Sequence, residues 1–230
     1  MKTKALAVLL TAFLLLGFIG YVFSGSQQVS STTASTIITR ARYYLDAPGI
    51  ASGDSFWSDA RLLQWLNDGQ VDIATRTHCM EDTETETLLT STLSYALSDN
   101  FITIKAVIYN NEKALKKGSI EHIGEVEALG EPAYWVQWED SVIVYPAPSS
   151  SVSGNSIVVY VVDRPSTLAS TGTITIPVYY ERALVLYMVT QAFYYDQKFA
   201  QAAQMEAQYH AELDRYRQDF SNQPPSGQVR

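Results

Sequence analysis

Two short runs of alternating side chains, Tyr134 to Trp138 and Val142 to Tyr145, constrain the fold more than any other part of the sequence. In the first, Tyr134, Val136 and Trp138 alternate with Trp135 and Gln137, and the second is β-branched or aromatic throughout. A period of two puts successive side chains on opposite faces, so each run reads as a strand. Glu139-Asp140-Ser141 breaks the alternation, and Pro146 and Pro148 end the second run because proline gives no ladder donor. Gly130 to Pro148 is therefore expected to form a β-hairpin, with helices leading into its sheet and one more strand and helices leading out.

Upstream, Ile37, Ile38, Ala41 and Leu45 recur at helical spacing until Ala47-Pro48-Gly49 stops them. After the Gly53-Asp54 turn, Ser58 suits an N-cap with Asp59 in the first turn, and Leu62, Leu63, Leu66, Ile73 and Ala74 form one stripe edged by Trp57 and Trp65. Runs around Ser91 to Leu97 and Phe101 to Tyr109 read as strands. The β-branched run Ile157 to Val162 reads as a buried strand, closed by Arg164-Pro165. From Val178 the chain turns helical. Ala183, Leu184, Tyr187, Val189 and Phe193 make that part apolar enough to pack on the sheet. A narrower stripe follows at Ala202, Tyr209, Leu213, Tyr216 and Phe220, the spacing of a helix that docks on another helix. That partner is either its own domain or a neighbouring subunit. The expected class is α+β, a mainly helical bundle with a small antiparallel β-sheet domain inserted between N-terminal and C-terminal helices. Helices are expected within residues 33–80, β structure within 88–176, C-terminal helices within 177–220 and a disordered tail over 221–230.

The apolar run Ala5 to Phe23 behind Lys2 and Lys4 has the layout of a signal peptide or membrane anchor. It approaches the roughly 20 residues a membrane helix needs, which favours an uncleaved anchor with the domain outside, although a translation start near Val29 would remove it. Charge narrows the partners further. A net charge of −8 argues against a protein that grips nucleic acid phosphates, since such binding needs Lys and Arg to release counterions. The single cysteine, Cys79, rules out a disulfide within the chain.

Chemistry is thinly represented. The acidic stretch Glu81 to Glu86 lacks the glycine turn and terminal Glu of a calcium loop and reads as a solvated loop. Lys113, Lys116 and Lys117 lack a phosphate-binding glycine pattern and read as a solvated face. Ser55 in Gly53-Asp54-Ser55-Phe56 has no base, because residues 75 and 207, three before His78 and His210, are Thr and Ala where a hydrolase block would require Asp. His78-Cys79 has no third partner and His122 stands alone. No catalytic, cofactor-binding or metal residue is expected, and no enzyme. An aromatic hairpin on an anchored extracytoplasmic module, binding a glycan or a protein, is the alternative reading of Tyr134, Trp135, Trp138 and Tyr145.

Four blocks carry a resemblance: Phe56 to Asn67, Tyr95 to Lys105, Gly130-Glu131-Pro132 with Val142 to Pro148, and Ile176 to Leu184. In this order and spacing, from about Thr33 to Phe220, the chain resembles the adaptor, or head-to-tail connector, proteins of tailed bacteriophages. The resemblance implies a helical bundle with a small β-domain that does no chemistry. It also implies a homo-oligomeric ring, commonly a dodecamer, beneath the portal, bearing the tail or a stopper protein and letting DNA pass without specific binding. The virion would be its location, with a bacterial membrane held through residues 5–23 as the alternative. Subunit contacts are then expected on the second face of the hairpin, Trp135 and Gln137, and on the C-terminal stripe, Tyr209, Leu213, Tyr216 and Phe220.

Overall fold

The computed structural model describes residues 29–45, 57–98, 100–125 and 129–221, with side chains placed for all of these except 122, 124, 125 and 217–221. Helix α1, Ala34–Tyr44, starts where the Thr33 hydroxyl accepts from the Thr36 N–H and buries Ala34, Ile37, Ile38 and Ala41. Helix α2, Asp59–Thr77, is capped by Ser58 and ends at His78 in the left-handed conformation, φ 53°. Its apolar stripe buries Leu62, Leu66, Ile73 and Ala74 as the spacing predicts. Arg42 ties the end of α1 to the start of α2 by donating to the Trp57 carbonyl and to Asp59, both at 2.6 Å.

Helix α3, Glu181–Tyr195, is apolar nearly all round, and α4, Phe199–Ser221, folds back along it after a three-residue connection at 196–198. Because α1, α2 and α4 all pack on α3, its apolar surface is consumed by helices and not by the sheet that the sequence suggested. Ile174 and Ile176 enter the same core from the segment before α3. That segment is anchored by side chains of α2: Asn67 exchanges two bonds with the backbone of Leu168, and the fully buried Gln70 accepts from the Thr175 N–H and hydroxyl at 3.0 and 3.1 Å.

Between α2 and this segment lies a β-sandwich. Its strands are β1 Glu81–Thr87, β2 Ser94–Ala96, β3 Phe101–Tyr109, β4 Lys113–Ala114, β5 Lys116–Lys117, β6 Tyr134–Trp138, β7 Ser141–Tyr145 and β8 Ser156–Asp163. They form two four-stranded sheets, ordered β1-β8-β3-β4 and β2-β7-β6-β5, antiparallel except for the β5–β6 pair. Ile104, Val107, Ile157, Val159 and Val161 of one sheet meet Trp135, Val142 and Val144 of the other. The chain enters and leaves at adjacent points, where the Asp163 N–H donates to the Met80 carbonyl at 2.7 Å.

The hairpin and the β8 strand stand where the alternation puts them, but Glu81 to Glu86 is not a loop. It is most of an edge strand, in register with β8 from Glu81 opposite Val162 to Thr87 opposite Ser156. An edge strand needs only the backbone of one neighbour, and both of its faces reach water at the rim, so a wholly polar sequence satisfies it and leaves no apolar period to read. The β structure accordingly begins at residue 81, ahead of the expected 88.

Candidate assembly surfaces

Glu181 opens α3 and so sits at the positive end of the helix dipole. Its side chain is 9% exposed and accepts from the Ser30 hydroxyl and from Arg40, each at 2.5 Å. Burial alone would push this carboxyl up; the bonds from Ser30, Thr32 and Arg40 together outweigh it and hold Glu181 below the usual carboxylate range. A cleft of about 360 Å³ opens beside it, lined by Arg40, Tyr44, Tyr179, Arg182 and Tyr216. Glu181→Gln is expected to lower stability by roughly 1–3 kcal/mol near neutral pH, since it removes the charge that satisfies Arg40 and Ser30. Because the folded-state pKa is depressed, this stabilisation is present above the unfolded-state value and is lost as pH falls through the folded one. Urea titrations of both proteins should therefore converge in acid.

The C-terminal stripe folds back on its own chain. Tyr209 is 3% exposed, donates to Asp72 at 2.5 Å, and meets the Tyr187 ring edge-on at 5.6 Å. Arg76 holds the same carboxylate at 2.8 Å, and burial followed by Asp72 pushes the Tyr209 phenol far above its ordinary value. Leu213 is buried in the helical core, while Tyr216 is half-buried against Tyr179 and Tyr180 and borders the cleft. The Phe220 side chain lies outside the described residues.

Along strand β6 of the hairpin only the ends of the other face reach solvent: Tyr134 and Trp138 are exposed, while Val136 between them is buried. Trp135 and Gln137 stand opposite Val144 and Val142, so they point between the sheets. Trp135 is 2% exposed, and Gln137 accepts from the Ile104 N–H at 3.0 Å. Trp135, Tyr209 and Leu213 are thus spent inside the subunit, which corrects the expectation that they present surface to a neighbour. The exposed aromatics are Tyr134, stacked on Tyr145 at 5.2 Å, and Trp138. Alternation separates two faces but does not say which is covered, and only the packing of the second sheet decides it.

The rims of the sandwich carry opposite charge. On β1, Glu81 pairs with Lys105, Glu84 accepts from the Ser98 N–H and hydroxyl at 2.9 and 2.6 Å, and Asp82 and Glu86 form no ion pair among the described residues. Asp163, beside them, is pushed up by burial and then by Asp82 and Glu84. At the far rim, Lys113 pairs with Glu131 at 2.6 Å, Lys117 lies 5.5 Å from the Trp135 ring, and Lys116 is exposed.

Among the described residues no group of three or more His, Cys, Asp and Glu could hold a metal ion, and no helix is long and apolar enough to cross a membrane. Residues 5–23 and Ser55 lie outside them. Burial raises the Cys79 thiol to about 11, which keeps it protonated and unreactive at neutral pH, and His78 serves as the α2 cap. The family model described as SU10 adaptor protein matches residues 32–230. No curated protein matches the chain.

Proposed function

Because the chain belongs to the SU10 adaptor protein family, a phage head–tail adaptor family, we propose that it is a structural virion protein that forms a ring between portal and tail. In that role it completes the head, holds the tail or a stopper protein and surrounds the passing DNA. The observation that carries this reading is the extent of the match, which takes in both the helical core and the sandwich. A net charge of −8 suits a conduit, because a surface that repels phosphates lets DNA slide. The protein works by contact and not by catalysis. Tyr134 and Trp138 on the hairpin and Tyr43, Tyr44 and Phe199 on the helices are among the aromatic side chains with surface left for a neighbour.

The full chain, purified in mild detergent and mixed with its portal protein, is expected to give ring-shaped particles seated on the portal by electron microscopy. A chain that stays monomeric and never binds the portal would refute the ring.

A further inference from the structure

Sheet order places β1 and β4 at opposite rims of one sheet, three inter-strand steps apart, or about 14 Å at a spacing of about 4.8 Å. That exceeds the Debye length of about 8 Å at physiological ionic strength, so the two rims do not neutralise each other within a subunit. One rim holds the unpaired carboxylates Asp82 and Glu86 with Glu84 and Asp163 beside them. Just past the β4 rim, Lys116 and Lys117 form β5, the edge strand of the second sheet; they are exposed and without an ion pair among the described residues, on the corner where the chain crosses from β4 to β5 through the buried Leu115.

The outer edge of β1 is also open along its seven residues, because β8 is its sole strand partner among the described residues. Open edges invite pairing with another chain. Two β1 edges cannot approach each other without bringing carboxylates together, whereas a lysine-bearing corner meets them with opposite charge.

We propose that neighbouring copies of this chain touch rim to rim, the acidic β1 edge of one against the Lys116–Lys117 corner of the next. This assigns the contact of the ring proposed above and rests on that reading. The two surfaces differ, so the contact is head-to-tail, and a head-to-tail contact generates a closed ring when its rotation closes. The corner strands are two residues each, too short for a continuous ladder, so charge and not backbone pairing supplies the selectivity.

The test uses two full-chain variants in mild detergent at low salt, alone and on portal protein, read by mass photometry. Lys116→Glu/Lys117→Glu makes both rims acidic; Asp82→Lys/Glu86→Lys with Asp163→Asn leaves Glu84 as the one carboxylate of the β1 rim without a basic partner and makes both rims net basic. Each alone is expected to need roughly tenfold or more protein to assemble than the wild type, and an equimolar mixture is expected to regain assembly by alternation. The altered side chains are exposed or at the rim, so each variant should keep the wild-type melting temperature. Variants that assemble alone like the wild type, or that melt normally and fail to assemble when mixed, would overturn the contact and leave the ring standing. A wild type that stays monomeric under every condition would overturn the ring and the contact together.

Discussion

Replacing Trp135 by alanine is expected to lower the unfolding free energy by about 3–5 kcal/mol, while Trp138→Ala changes it by less than about 1 kcal/mol. The two residues sit on one five-residue strand of the same hairpin. Their difference lies in facing: Trp135 is 2% exposed between the sheets and Trp138 is 53% exposed beside the turn. Truncating Trp135 forfeits its apolar burial and leaves a cavity among Val142, Val144 and their neighbours, whose strands cannot close over it without shifting the hairpin. Urea unfolding of the two variants gives the comparison directly. A Trp135→Ala protein of wild-type stability that no longer assembles would reinstate Trp135 as an interface residue.

Gly118→Ala is expected to cost about 3 kcal/mol, at the upper end for an inserted methyl group. Gly118 follows β5 and donates its N–H to the Trp135 carbonyl at 2.8 Å, which holds its backbone in place. A Cβ there would stand 1.7 Å from the Tyr145 hydroxyl oxygen and 2.7 Å from Cζ. That ring is 3% exposed and stacked on Tyr134, so it has no free direction in which to swing. Tyr145→Phe removes the nearer of the two clashes and leaves the second, so the double variant should recover about 1 kcal/mol relative to additivity. Thermal melts of the four proteins in this cycle measure the coupling. A Gly118→Ala protein that melts with the wild type would show that Tyr145 is not seated against this backbone.

Most elements that could be read from the sequence are those whose burial has a period. The β6–β7 hairpin, β8 and the α2 stripe each bury one side or two, so Val, Ile, Leu and aromatics recur where geometry demands them. β1 escaped because its partner is seven residues of β8 far along the chain and its own side chains reach water. The buried Gln70 lay unseen for a related reason: its partner is the backbone of Thr175, a contact with no local signature. The stripe at Tyr209 and Leu213 was legible as a docking surface, but the choice between a neighbour and its own α3 depends on a three-residue connection that lets α4 fold back. Candidate contacts suffered most, because the alternation that revealed the hairpin is silent on which face the second sheet covers.

The bond between Asp163 and Met80 means that the β-sandwich leaves the helical core through two adjacent strands of chain. Such a stalk makes the sandwich a cassette: its removal asks the helices only to be rejoined by a short linker, and its replacement asks only that a new insert start and finish side by side. A different sandwich could therefore be inserted while helices α1 to α4 stay as they are. A chimera that carries a foreign sandwich on this bundle would keep the fold and change what it meets.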